Sequence, residues 1–402
     1  MNFNDFSSPE FFEDPYPLYE KLRLAGAIVP IGPNAVVTGR LSVIESLLRN
    51  RSMGKAYMQS VVARYGSGAS LQPLFKTLSR TFLMMNPPAH TRLRALLMKA
   101  FNARQMDKLR KIVETTANAL ADGLSRKQEF DLVSEFALPL PVEIICRLLE
   151  IPPAEGCDLG AAASCLVAAM DISPLNDQML VEANDAALSL EAYFGPVVAE
   201  RRLNPGDDLI SSLLVVEDEG VSLTEEEIIS NVILLFVAGH ETTSNMIGNA
   251  LIALHRHPLE LAKLRRDPTL MSKAVAECMR YDSSVQMVAR TALEEVIVSD
   301  VTLAPGTVVF MSIGAACRDH EAFSDSDRID FNRPENGRFL AFGSGIHYCL
   351  GARLASMEIE IALKTLLDRF PDLQLVELED LNWHTRNSLR GVQSLLARHC
   401  ME

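Results

Sequence analysis

Apolar residues along this chain recur mostly at the three-to-four spacing of amphipathic helices, and only in short stretches at the alternation of strands. Helical spacing runs through residues 42–49, 91–101, 105–124 and 135–149, where Pro152-Pro153 stops the last run. Thr224-Glu225-Glu226-Glu227 has the form of a capping box, and the pattern then continues to His257 before Pro258, roughly 50 Å of helix. A shorter helix follows Pro268 and reaches Arg280, and a final one spans 350–370. β-prone runs are few: 27–31 and 35–38 around the turn Gly32-Pro33-Asn34, then 295–303, 307–313, 373–376 and 393–397. The pattern predicts a mainly α fold with a small β subdomain, drawn from about 27–40, 285–313 and the C-terminal strands. No repeat, low-complexity run or linker divides the chain, so residues 1–402 are expected to form one domain.

Composition narrows the function classes. A net charge of -14 argues against general nucleic-acid binding, which needs Lys and Arg to replace condensed counterions. The long helix contains an apolar run, Val232 to Val237, that would suit a membrane. His240, Glu241, Asn245 and Asn249 near its middle would be costly in lipid, so a helix buried in protein is expected instead. Residues 1–13 lack the positive and apolar regions of a signal peptide, which predicts a cytoplasmic protein without a membrane anchor. Seven cysteines are scattered without a C-x-x-C pair, arguing against a disulfide framework or zinc site. Six are expected to be buried free thiols acting as small hydrophobes. Cys349 is different.

It lies in Phe342-Gly343-Ser344-Gly345-Ile346-His347-Tyr348-Cys349-Leu350-Gly351, a Gly-rich loop leading into the final helix. A thiolate there would feel the positive end of the helix and nearby N–H groups, which hold sulfur as an anion for a metal. The run F-G-x-G-x-H-x-C-x-G resembles the haem-ligand loop of the cytochrome P-450 enzymes, and a chance match to its six fixed residues is on the order of one in a hundred thousand. The resemblance implies haem b, iron protoporphyrin IX, with Cys349 as its metal ligand and Phe342, Gly343, His347 and Gly351 around the cofactor. Thiolate ligation favours O–O cleavage and so points to oxygen activation.

Three further segments extend the resemblance. Ala238-Gly239-His240-Glu241-Thr242-Thr243, in the long helix, is similar to the family's oxygen-binding segment. Its Gly and Thr residues are poor helix formers, and a Thr hydroxyl bonding back to a carbonyl is expected to open the helix locally. Glu241 and Thr242 are the catalytic candidates, an acid and a hydroxyl that relay protons to oxygen; His240 is read as a neighbour. In Glu277-Cys278-Met279-Arg280 the opposite charges fall at i and i+3, and the resemblance makes the pair buried and structural. His90 and Arg94, at i and i+4, join Arg290 and His347 as the implied propionate partners.

The implied activity is a haem-thiolate monooxygenase that uses O2 to hydroxylate or epoxidise a bulky apolar small molecule, of natural-product type (polyketide, macrolide, peptide or terpenoid). A peroxide-driven haem-thiolate enzyme and a non-catalytic haem-binding sensor are the alternatives. The chain carries no flavin or iron–sulfur motif, so electrons are expected from a ferredoxin and its reductase, with Arg104, Lys108, Arg110, Arg338 and Arg353 as candidate docking cations. Substrate-facing parts in the resemblance are 53–85, a helical pair around 161–174, 285–288 and 386–389, with Met85, Leu235, Val288 and Leu389 as contacts.

Overall fold

Glu225–Arg256 forms a single helix of 32 residues in a computed structural model of the chain, which describes residues 1–100, 103–218, 221–334 and 337–400. The capping box starts it: the Glu227 N–H donates to Thr224 Oγ1 at 3.2 Å and the Thr224 N–H to Glu227 Oε2 at 3.0 Å. Pro258 prevents its continuation. The helix is unbroken through Ala238–Thr243, so the expected local opening does not occur. Buried neighbours on both sides of this segment hold the weak helix formers in register, and tertiary packing overrides their propensity.

The chain divides into two compact units interleaved in sequence. The first comprises Met1–Gly54, Val113–Leu140 and Thr242–Glu402. It holds a five-stranded sheet in the order Val29–Gly32, Ala35–Thr38, Val308–Ser312, Met287–Ala292, Met53–Gly54. Its neighbours run antiparallel except at the Ala35–Thr38/Val308–Ser312 pair, which is parallel, with Val309 opposite both Val36 and Arg290. Leu41, Ile44, Leu47, Val309, Met311, Ile313 and Phe323 pack into a core beside this sheet. Residues 295–303, one β-prone run by sequence, fold as the hairpin Val296–Val298/Val301–Leu303, because Ser299 and Asp300 take the positive φ of a two-residue turn. The C-terminal strands Gln374–Leu375 and Leu396–Arg398 lie outside the five-stranded sheet. Leu396–Arg398 pairs antiparallel with both Gln374–Leu375 and Glu129–Asp131, in a separate three-stranded sheet. The final helix spans Ala352–Arg369.

The second unit comprises Lys55–Ile112 and Pro141–Glu241. Ala89–Ala100 matches the helix expected there, and Gly160–Ala169 packs along Asp177–Leu203 as a pair. The latter, 27 residues long, was not legible in the sequence: apolar residues surround it instead of lining one face, and Pro196 lies inside it. A signal at its start was available in Asn176, whose side chain accepts from the Met179 N–H at 2.9 Å. The run 135–149 splits at Pro139 into the π-helical turn Val133–Ala137 and the helix Pro139–Leu149. No helix among the described residues is long and apolar enough to cross a membrane.

Candidate active site

The loop before the final helix is shaped by its own backbone. The Cys349 N–H donates to the Phe342 carbonyl at 3.0 Å, the Tyr348 N–H to Gly345 at 3.1 Å, and the Gly343 N–H to Leu340 at 2.7 Å. These bonds fold Phe342–Cys349 back on itself, with Cys349 two residues ahead of Gly351, the N-cap of Ala352–Arg369. At Gly345, φ is +70°, and a Cβ would lie 2.1 Å from the Leu48 carbonyl oxygen, so only glycine brings the loop this close to the helix Leu41–Arg49. Cys349 is exposed, unlike Cys146, Cys278 and Cys317, whose thiols are buried. Burial pushes the thiol of Cys146 up to about 12, that of Cys317 up to about 11, and that of Cys278 higher still. Three of the six cysteines expected to be buried are not: Cys157 and Cys400 are exposed and Cys165 is half-buried, since they fall on outward positions that short apolar windows do not distinguish.

From Ser230 to Leu254 every residue of the long helix is buried except Leu235, Ala238, Gly239 and Thr242. Their spacing places all four on one helix face. Ala238 and Gly239 give that face its lowest relief, and Glu241, 7% exposed, sits in the turn between them and Thr243. His240 points elsewhere: its Nδ1 is 2.9 Å from the Phe236 carbonyl, and burial holds its pKa below the usual histidine value, outweighing the opposing pull of that bond and of Glu241.

The predicted cations fall in both units. His90 is 2% exposed on the helix Ala89–Ala100, with its ring 6.2 Å from that of Phe82, and the Arg94 guanidinium stands 5.9 Å from the same ring. Arg290, in the strand Met287–Ala292, is 8% exposed and, among the described residues, donates only to the carbonyl of Ala289, at 2.9 Å. Among the described residues no carboxylate pairs with it, and desolvation alone lowers its pKa to about 10. Burying a guanidinium without a counter-charge is costly, and an anion brought to it would relieve that cost. Glu277 and Arg280 form a two-pronged pair, both bonds at 2.9 Å, at 1% and 2% exposure. Glu277 Oε1 also accepts from Arg333 Nε and the Asp330 N–H, each at 3.0 Å, while Arg280 donates to the carbonyls of Cys317, Ser326 and Arg328. The pair thereby ties the segment 317–333 to the helix Met271–Tyr281. Val288 is opposite Met311 in the main sheet, Leu389 bridges to Val285, and Met85 and Leu235 are half-buried.

The sequence profile of the family described as Cytochrome P450 matches residues 166–388. Two proteins of Xylella fastidiosa, named as cytochromes P450 133B2 and 133B1, are each 49% identical over 99% and 98% of both chains respectively. The chain belongs to the cytochrome P450 family. As a cytochrome P450 it is a monooxygenase, and the family implies a haem cofactor. Solved P450 structures superpose closely. P450BioI, in complex with an acyl carrier protein ligated to hexadec-9Z-enoic acid, has a TM-score of 0.91 at 33% identity, covering 97% of this chain and 99% of its own. The Bacillus subtilis P450 PksS of the bacillaene polyketide synthase has a TM-score of 0.88 at 32% identity, covering 98% of each chain.

The residues of this P450 fit haem in their chemistry. A thiol on an open Gly-rich loop suits iron, a buried guanidinium without an acidic partner suits a propionate, and a helix face lowered by Ala238 and Gly239 suits a flat ring. Of the candidate docking cations, Lys108 pairs with Asp207 and Arg338 with Glu45 at 3.5 Å, whereas Arg110 and Arg353 are exposed; the Arg104 side chain lies outside the described residues. Buried acids also lie outside the sequence motifs, Asp208, Asp282 and Asp319 among them. Glu358, on the final helix, is 3% exposed, and desolvation alone raises its pKa to about 8. Its place on an otherwise apolar helix face was the available signal.

Proposed function

We propose that this P450 hydroxylates or epoxidises a bulky apolar small molecule of natural-product type, such as a polyketide or a long acyl chain, in the cytoplasm. The observation that carries this reading is the single open face of the central helix, where apolar Leu235 and small Ala238 and Gly239 lead to Thr242 beside buried Glu241. The acyl ligand of one similar P450 and the polyketide context of another support the substrate class.

Cys349 would hold the iron of haem b, with Phe342, Gly343 and Gly351 shaping the loop behind it. His90, Arg94, Arg290 and His347 would bind the propionates, where Arg290 gains the anion it lacks. When bound, haem supplies oxygen activation, made more reducing by the thiolate. The overall change consumes O2, two electrons and two protons per substrate and releases alcohol or epoxide and water. Glu241 would hold a proton and the Thr242 hydroxyl would pass it on. Met85, Leu235, Val288 and Leu389 would orient the substrate and exclude water. Electrons would come from a ferredoxin and its reductase, docking through exposed Arg110 and Arg353.

The first test is the absorption spectrum of the dithionite-reduced, carbon monoxide-bound protein. A strongly red-shifted Soret band is expected and should vanish in Cys349→Ser; an imidazole-like band from fresh protein would overturn the ligand assignment. Thr242→Ala should divert reducing equivalents from product to peroxide, and unchanged coupling removes Thr242 from the relay.

A further inference from the structure

The polar face of the central helix does not end at Thr242. Asn245 and Asn249 follow at helical spacing, then Ala253 and Arg256, so all five positions lie on one side of the helix. From Thr242 to Ala253 the helix rises about 16 Å. Asn245 is 7% exposed and Asn249 0%, a depth at which asparagine is normally fully bonded.

Asn249 is only half satisfied. Its Nδ2 donates to the backbone carbonyls of Asp282 at 3.3 Å and Arg390 at 3.1 Å. Its Oδ1 has no partner among the described residues, and neither have the buried hydroxyls of Ser283 and Ser284, the two residues after Asp282. The Arg390 N–H donates to the Ser284 carbonyl at 2.8 Å, so these three orphaned groups belong to one junction of the helix with segments 282–284 and 390. Leaving one such group bare costs about 1–3 kcal/mol, and native interiors resolve it with a bound water that makes about three hydrogen bonds. On the Thr242 side of the junction, Asn245 Oδ1 lies against Gly391, where a Cβ would come within 2.2 Å. On the other end, a cavity of about 800 Å³ is lined by Ala253, Arg256, Asp282 and Arg390, with exposed Asp14 and Glu379 at its rim.

We infer that the Thr242–Asn245–Asn249 face, with Ser283 and Ser284, is a hydrated route that carries protons from this cavity to Thr242. The inference rests on Thr242 as the proton relay. It assigns positioning roles to Asn249, Ser283 and Ser284, which hold the water chain; the two protons consumed per turnover enter from solvent at the cavity, and no other atom or electron moves along the route.

The test uses the haem-loaded enzyme and needs no substrate. Reduced protein mixed with O2 is given one further electron by irradiation at liquid-nitrogen temperature, and electron paramagnetic resonance follows the protonation step on warming, in H2O and D2O. Asn249→Leu and the double variant Ser283→Ala/Ser284→Ala should each slow that step about tenfold, less than the ~100-fold or more that loss of a proton donor itself costs, because these residues only position the water. The solvent isotope effect should rise, and the carbon monoxide spectrum should not change. The serine variant removes only unpartnered hydroxyls, so it keeps the fold even where Asn249→Leu does not. If Thr242→Ala slows the step while the serine variant matches wild type, the route is overturned and the relay survives. If Thr242→Ala itself has no effect, the relay reading fails first.

Discussion

Replacing Glu358 with glutamine should stabilise this P450, and increasingly so as pH rises. The carboxyl is 3% exposed, and its pKa stands at about 8 against an ordinary 4.5, with burial as the sole cause. Between those two values the folded protein keeps a proton that the unfolded chain releases, so unfolding is favoured as pH increases, by about 1.4 kcal/mol per pH unit. Below 4.5 both states are protonated and nothing is lost; above 8 the full penalty, at most about 5 kcal/mol, applies. Glutamine has the shape of the protonated acid and cannot ionise, so at pH 7 Glu358→Gln should gain up to about 3 kcal/mol over wild type. Urea unfolding of the haem-loaded protein, followed by Soret absorbance from pH 5 to 9, measures the difference, and other titrating groups cancel between the two proteins. Parallel curves for variant and wild type would refute the reasoning, and a variant less stable at every pH would mean that Glu358 carries its charge in the fold.

Glu277→Gln leaves two buried guanidinium groups, Arg280 and Arg333, without their counter-charge, and should cost about 3 kcal/mol or more in denaturant unfolding and lower the yield of haem-loaded protein. Arg290→Gln should speed haem transfer to apomyoglobin about tenfold, the worth of one charge-assisted bond, while the haem-free protein becomes no less stable because a desolvated charge is removed; unchanged haem loss would free Arg290 of the propionate role. Gly345→Ala forces a Cβ onto the Leu48 carbonyl at a φ of +70° and should cost at least about 1–3 kcal/mol, read as a lower melting temperature and a smaller red-shifted fraction in the carbon monoxide spectrum.

Local chemistry was legible in the chain by itself. The Cys349 loop, the capped start of the long helix, its end at Pro258 and the i, i+3 pair Glu277–Arg280 all depend on residues within one or two turns of each other, where spacing and stereochemistry dictate the outcome. The mainly α class followed from the same short-range periodicity. What failed was local reading where distant contacts decide. The segment 238–243 stays helical because its neighbours are packed on both sides. Which strand Leu396–Arg398 pairs with, Glu129–Asp131 at more than 260 residues' distance, is likewise set by tertiary packing and not by local pattern. Asn245 and Asn249 were visible in the sequence only as residues unsuited to lipid. That they join a half-satisfied junction with Ser283, Ser284 and Arg390 could be settled only by the tertiary structure, because hydrogen-bond satisfaction is a property of what surrounds a group and not of the residue itself.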